Sequence, residues 1–355
     1  MDLTGNSLWM NLGAFALAAV LVWGAGTRIT AYADELAERY DLSRAMLGLF
    51  MLSVISSLPE IATSVTASID KNSALALGNL LGSIVLQVTL LAVADLFVDK
   101  RALTAVVPNP LVLLQGNLSI IMLALVTIAI TVGDIELFGA GAWSWGLIGA
   151  ACFVAFKLAS AGKHRQPWVV NPEDPLAEEA TAEDERALPR KHCNDSRARL
   201  FGKLLLAMAT ILCAGAALVY IVEALGEQTG MGQSYAGMAL LPIAMSLPDI
   251  SVIFAAVRAG LYTMAISGVL GGAFVNIALI GVVDVIDSSG LVLDEAGAFP
   301  ALAALLGIVT ISLFMAGLAE RADRTRLRMG TDSMLVLITY FVGMFLLFQL
   351  RGGEG

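Results

Sequence analysis

The sequence predicts an all-α membrane protein, with ten transmembrane helices in two inverted-topology repeats of five and both termini outside. Three observations predict it. The 355 residues are 58% hydrophobic and only 14% charged, where a soluble chain runs at about 45–50% apolar and about 25% charged. Ten apolar runs are long enough to span a hydrocarbon core, which takes about 20 residues per helix. A stretch of the chain also recurs 189 residues further on.

Lipid as the main solvent excludes a secreted disulfide scaffold, a nucleic-acid-binding protein and a conventional cytosolic enzyme. The net charge of −9 offers no basic surface to nucleic acid. Cys152, Cys193 and Cys213 are odd in number and form no Cys-x-x-Cys spacing, so neither a disulfide framework nor a zinc site is indicated.

The apolar runs fall at roughly 8–28, 45–69, 73–98, 111–132, 140–162, 200–225, 234–258, 260–287, 298–320 and 331–350. The first follows Asp2 with no Lys or Arg before it, so it reads as a span and not as a signal peptide. Residues 163–199 are polar, acidic and proline-bearing, the composition of a solvated linker without a packed core. The expected organisation is a first repeat over 1–162, a cytoplasmic linker over 163–199 and a second repeat over 200–355. With the N-terminus outside, 19 of the 21 Lys and Arg lie in cytoplasmic segments or the adjoining helix ends, as the positive-inside rule requires. Only Lys71 and Arg351 fall on the other side. The outer segments carry Asp134, Glu136, Glu223, Glu227, Asp287, Asp294 and Glu295, which either concentrate cations or are ordinary solvated loops.

Gly48–Asp95 aligns without a gap on Gly237–Asp284, with 13 identities in 48 positions. Apolar composition produces chance matches of Leu, Val and Ala. It does not readily align Ser57-Leu58-Pro59-Glu60 with Ser246-Leu247-Pro248-Asp249, Gly82 with Gly271, Gln87 with Asn276 and Asp95 with Asp284 at one offset. Equivalent helices are five spans apart, an odd number, so they cross in opposite directions. Many secondary transporters share this inverted architecture and bind substrate near the midplane between the repeats.

Glu60 and Asp249 are each the sixteenth residue of a run of about 25, close to mid-membrane, where a charged side chain costs about 2.5–3.5 kcal/mol on translocon scales. Two such carboxylates must bind cations or take up protons. The structural alternative is a pair of permanently protonated acids bonded to backbone. Each acid follows a proline, which frees carbonyls of the preceding turn near Ile55 and Met245. Carboxylates, carbonyls and hydroxyls together suit hard cations such as Ca²⁺. A plain kink is the alternative for either proline alone. Gly78-x-x-x-Gly82 and Gly268-x-x-x-Gly272 allow close helix approach. Gln87 and Asn276 are buried amides that need partners, either an ion or an interhelical hydrogen bond. Asp95 and Asp284, near helix ends, read as interfacial.

These paired motifs resemble the cation/calcium exchanger superfamily, to which the sodium/calcium exchangers belong. The likeness rests on Ser56-Ser57-Leu58-Pro59-Glu60 followed by Gly78-Asn79-Leu80-Leu81-Gly82-Ser83. It recurs as Ser246-Leu247-Pro248-Asp249 followed by Gly271-Gly272-Ala273-Phe274-Val275-Asn276. The resemblance implies that Glu60 and Asp249 are the central cation ligands. It places Ser56 and Met245 where the family usually has a threonine and uses its oxygens, and Ser83 and Gly272 at hydroxyl positions used for sodium. Gln87 and Asn276 match a polar pair flanking the centre. It also implies that helices 1 and 6 slide over the rest of the bundle. The chain departs from the pattern in four places: Asp249 is one methylene shorter than the usual Glu, Met245 and Gly272 lack a hydroxyl, and Ile84 replaces an asparagine. The second half is therefore the poorer in oxygen.

The expected function is a secondary-active antiporter exchanging Ca²⁺ for Na⁺, with a proton-coupled or other divalent-cation exchanger as the alternative. Its partners are inorganic cations and the lipid bilayer, with no nucleic acid and no resident cofactor. Compact length and short loops suit a prokaryotic inner membrane. An intramembrane aspartyl protease would need a Gly-x-Gly-Asp or Tyr-Asp context, and the His-Glu-x-x-His and Gly-x-Ser-x-Gly motifs are also absent. A passive channel would conduct well above exchange rates without a counter-ion.

Overall fold

The computed structural model describes residues 3, 5–39, 57–98, 102–105, 110–161, 197–258, 262–287, 290–320, 325–326 and 329–350. In chain order the helices are α1 (Leu8–Arg39), α2 (Leu58–Ile69), α3 (Ser73–Ala94, continued by a 3₁₀ turn Asp95–Phe97), α4 (Pro110–Val132) and α5 (Ala142–Ala161). They continue with α6 (Arg197–Thr229), α7 (Gln233–Met245), α8 (Leu247–Arg258), α9 (Tyr262–Ile286), α10 (Val292–Glu295), α11 (Ala298–Glu320) and α12 (Thr331–Leu350). Among the described residues seven helices are long and apolar enough to cross a membrane, and the pair α7–α8 makes an eighth if taken as one bent span. The apolar helix Ala142–Leu158 is shorter, and the described part of the second run starts at Ser57.

The run at 234–258 is one span by composition but two helices in the structure, bent by 51°. Pro248 is the cause. It cannot donate to a carbonyl of the preceding turn and its ring crowds that turn, so α7 ends at Met245 and α8 begins at Leu247. Pro59 likewise stands in the first turn of α2, where a missing N–H costs nothing. The serines before the two prolines behave alike: Ile61 N–H donates to the Ser57 carbonyl and Ile250 N–H to the Ser246 carbonyl, each at 2.9 Å.

The spans that carry α3 and α9 are the most enclosed of the seven, each with 72% of its apolar window buried, against 17% for α12 at the rim. α3 packs on α2, α7, α9, α11 and α12, and α9 on α2, α3, α4 and α5. The two therefore form the inner wall of the bundle. Glycines bring α3 and α7 together. A Cβ at Gly78 or Gly82 would overlap the Ser234 or Met238 carbonyl, and one at Gly237 would overlap the Leu75 carbonyl. The first small-residue spacing is thus a packing device. At Gly268 nothing lies within 4 Å, so the second spacing is not used that way.

α1 and α6 lie antiparallel along one side. Asn11 Nδ2 donates to Gln228 Oε1 at 3.2 Å at one end, and the Lys203 ammonium sits 6.0 Å from the Tyr32 ring centroid at the other. α4 and α11 are also antiparallel: Gly116 faces Met315, while Leu123 faces Gly307. In both pairs the partners stand at corresponding places in the two halves of the chain.

Two small antiparallel hairpins were not foreseen from the sequence. One pairs Glu136–Leu137 with Ala140–Gly141 and the other Thr325–Arg326 with Met329–Gly330. Residue for residue they stand 189 apart, so the offset reaches well past the aligned stretch. Asp95 and Asp284 explain them. Expected at the interface, both are buried, at 0% and 1% exposure. Asp95 accepts Leu103 N–H at 2.5 Å and Gly330 N–H at 2.6 Å. Asp284 accepts Val292 N–H and Gly141 N–H, both at 2.7 Å. Each carboxylate thus closes the loop behind its own helix and holds the hairpin of the other half of the chain. A carboxylate that receives such charge-assisted bonds is tolerated in the interior.

Candidate cation site

Glu60 and Asp249 stand in the first turns of α2 and α8. Mid-run in the sequence, they are helix starts in the structure, because each follows the proline that opens its helix. Free N–H groups and the positive end of the helix dipole favour negative charge there. Glu60 is fully buried, and neither carboxylate oxygen has a hydrogen-bond partner among the described residues. Asp249 is 8% exposed and close enough to act electrostatically on Glu60.

α3 and α9 bring up the neutral polar groups. Gln87 Nε2 donates to Asp249 Oδ2 at 2.9 Å, a bond between the two halves of the chain. Gln87 Oε1 has no partner and lies 3.2 Å from the place of a Cβ on Gly272. Asn276, at the position corresponding to Gln87, is buried with both amide atoms unpartnered among the described residues. The Ser83 hydroxyl is buried and unpartnered too. Met245 is buried as the last residue of α7, so it stands at the helix break. Ser56, with Ile55, lies outside the described residues. Gln87, Gly272 and Asp249 are therefore in demonstrated contact, while Glu60, Ser83 and Asn276 share the property of buried oxygens without partners.

Sequence reasoning passed over several residues here. Asn79 Nδ2 donates to Thr63 Oγ1 at 2.8 Å, and Thr63 Oγ1 donates in turn to the Pro59 and Glu60 carbonyls, both at 3.1 Å. Asn79 Oδ1, Ser57 Oγ, Ser64 Oγ and Ser246 Oγ are further buried oxygens without partners. An amide within an apolar run was the available signal for Asn79, and the 189-residue offset was the signal for Ser57 and Ser246; Ser64 and Thr63 carried none above ordinary membrane-helix composition.

α1 and α6 close on the proline turns. Gly26 of α1 takes the Pro248 ring against its bare Cα, and a Cβ at Gly215 of α6 would meet Ala62 Cβ at 2.9 Å and the Pro59 carbonyl at 3.6 Å. These glycines again stand 189 residues apart.

Two buried carboxylates with surplus neutral oxygens make a donor set for a hard cation, which takes oxygen ligands only. Unsatisfied buried polar atoms are rare in proteins, and here several lie on α2, which carries Glu60, and on α3 and α9, which pack against it. Among the described residues no group of three or more His, Cys, Asp or Glu is placed to hold a metal. Further ligands among the described residues would then be neutral.

A membrane-embedded, proline-broken pair of acids between packed helices is the architecture of an ion transporter. Residues 10–159 and 199–350 match the family described as sodium/calcium exchanger protein, and the chain belongs to that family. A curated relative, the putative antiporter CaxA of Alkalimonas amylolytica, is 26% identical over 339 residues, 93% of this chain and 96% of that protein. The fold is shared with the H⁺/Ca²⁺ exchanger CAX at a TM-score of 0.67 and 15% identity, covering 96% of this chain and 85% of that one. It is shared with the sodium-calcium exchanger NCX_Mj at 0.60 and 14% identity, covering 96% and 99%. The native YfkE structure matches at 0.64 and 12% identity, covering 95% and 92%.

Proposed function

We propose that this chain is a secondary-active antiporter that moves Ca²⁺ against a monovalent counter-ion by alternating access around Glu60 and Asp249. The observation that carries the reading is Glu60: fully buried, near a second carboxylate, with no side-chain donor to either oxygen among the described residues. An unpaired buried charge is expensive, so the site crosses the membrane readily only when cations or protons discharge it, which makes exchange obligatory. A divalent ion would be held by Glu60 and Asp249, with Gln87, Asn276, Ser83, Ser56 and the backbone at Met245 and Gly272 as the surrounding positions.

The counter-ion favoured by this geometry is the proton. The second half of the site has Met245 and Gly272 where a hydroxyl would supply oxygen, and Asp249 Oδ2 already accepts from an amide. A proton needs one carboxylate oxygen, whereas Na⁺ needs several ligands. Na⁺ is the second reading, supported by the unpartnered hydroxyl of Ser83. The names of CAX and NCX_Mj cover both counter-ions.

Ten spans in two inverted repeats, over 1–162 and 200–355, support alternating access. The antiparallel lie of α1 against α6 and of α4 against α11, and the reciprocal bonds of Asp95 and Asp284, agree with that plan. Both termini would lie outside and 163–199 in the cytoplasm of a prokaryotic inner membrane. Cys193 would then react with a membrane-impermeant maleimide only from the cytoplasmic side, in a Cys152→Ser, Cys213→Ser background.

The test is Ca²⁺ uptake into proteoliposomes under an imposed counter-ion gradient. Uptake should require the gradient and should collapse in Glu60→Gln. Undiminished uptake by that variant would remove Glu60 from the site, and uptake without any counter-ion would make the protein a channel.

A further inference from the structure

The hairpin between α4 and α5 is apolar where a solvent-facing turn would be polar. Leu137 pairs with Ala140, which leaves Phe138-Gly139 as a two-residue turn. Both turn residues have positive φ, 53° at Phe138 and 82° at Gly139. That is the type I′ geometry of two-residue hairpins, which selects Asn-Gly or Asp-Gly. A bulky side chain in the left-handed region is strained, yet Phe138 occupies it and is 90% exposed. Ile135 is 77% exposed close by, and Leu137 and Val132 are exposed as well. Neither the strain nor the bare ring is favourable in water.

The place of the hairpin in the bundle says what covers it. α4 has 23 residues, about 35 Å of helix, enough to cross a hydrocarbon core of about 30 Å. The hairpin therefore starts at the membrane boundary. Two indoles keep it there. Trp145, in the first turn of α5, donates its indole N–H to the Leu137 carbonyl at 2.9 Å, and Trp143 donates to the Gly133 carbonyl at 3.2 Å. The tip, one residue beyond Leu137, thus lies within an indole's reach of α5, where Phe153 and Phe156 are exposed further along. Tryptophan favours the membrane–water boundary, and contiguous exposed apolar surface marks a contact with membrane or protein. Here that surface runs on from the exposed faces of α4 and α5. Charge is not the attraction: no Lys or Arg stands between Arg101 and Lys157, and Glu136 is exposed in the outer strand. The corresponding hairpin of the second half has Arg324, Arg326 and Arg328 where this one has Ile135, Leu137 and Gly139, so the apolar tip is particular to the first half.

We propose that this hairpin is a lipid-contact element, with Phe138 seated between headgroups and acyl chains of the adjoining leaflet, the outer one in the orientation proposed above. Lipid around the ring offsets the strain of the turn. At the base of the hairpin Gly141 N–H donates to Asp284 Oδ2 at 2.7 Å, and Ala142 N–H to the Ile135 carbonyl at 2.9 Å. The seated hairpin therefore steadies the end of α9, one of the two inner helices.

The test uses the full chain in bilayers. In a Cys152→Ser, Cys193→Ser, Cys213→Ser background, a nitroxide attached at Ile135→Cys reports its surroundings with Phe138 in place. Oxygen concentrates among acyl chains and a nickel chelate in water, so the label should collide preferentially with oxygen. A label at Phe341→Cys, on the exposed face of α12, gives the lipid reference. Phe138→Asn is the discriminating variant, because Asn-Gly is what this turn prefers: it relieves the strain while removing the ring. It should move the label towards the chelate and lower the unfolding temperature in bilayer nanodiscs, and Phe138→Tyr should preserve both. An unfolding temperature raised or left unchanged by Phe138→Asn, or a label that favours the chelate with Phe138 present, would put the tip in water and overturn the inference. A label shielded from both probes, with spin–spin broadening that vanishes on dilution with unlabelled chain, would put a second copy there and overturn it equally. None of these readouts involves transport, so the Ca²⁺ antiport reading stands or falls separately.

Discussion

The ends of the inner helices and their middles have diverged by very different amounts. At the ends the two halves of the chain match down to single hydrogen bonds: Asp95 with Leu103 and Gly330, Asp284 with Val292 and Gly141. In the middle they do not. The first half buries Asn79, Ser83, Thr63 and Ser64 in its middle, where the second has Gly268, Gly272, Val252 and Ile253 at the same offset. The ends hold the two halves together, so a change there would have to be answered in the opposite half. The middle carries the proposed ion site, where each half can specialise as long as the summed ligand set still works.

The sharpest way to break this comparison is at the two acids. Glu60→Gln should cut Ca²⁺ exchange most, because removing a partner from a buried charged cluster costs about 2–5 kcal/mol, a factor of roughly 30 or more. Asp249→Asn should be milder in proteoliposome flux, since Gln87 can reorient its amide to the new group; equal losses would mean that the halves share the ion evenly. The glycine contacts come next. Gly237→Ala drives a methyl into the Leu75 carbonyl and should cost about 1–3 kcal/mol in thermal unfolding of the detergent-solubilised protein, while Gly268→Ala, with nothing within 4 Å, should be nearly neutral.

Matched ends make a matched prediction. Asp95→Asn and Asp284→Asn each leave one backbone N–H of the pair poorly served, and should lower stability by about 1–3 kcal/mol apiece. A large difference between them would show that one clamp holds more than the other. A smaller loss should come from Asn79→Leu, which removes the bond to Thr63 Oγ1 but leaves Thr63 its carbonyl partners. A loss of about 1 kcal/mol, with Ca²⁺ exchange within a fewfold of wild type, is expected. A collapse of exchange at unchanged stability would make Asn79 part of the ion path.

Composition and periodicity determined the solvent, the helical class and most spans, because about 20 apolar residues in a row leave a chain few options other than a membrane helix. The 189-residue offset located Glu60, Asp249, Gln87 and Asn276, since acids and amides stand out in an apolar background; Gly272 came from the small-residue spacing and the family resemblance. Sequence did not show that the acids begin helices, although a proline followed by an acid is an N-terminal signature; inside a long apolar run it read as a kink.

Only the tertiary structure decided which of those residues meet. That Gln87 crosses to Asp249 and fills the notch at Gly272, and that Asp95 reaches Gly330, are contacts between residues 162, 185 and 235 apart in the chain. Local pattern fixes a helix and its depth, because those depend on neighbours in the sequence. Which carboxylate accepts which N–H depends on how two halves of the chain pack, and no single run of residues contains that.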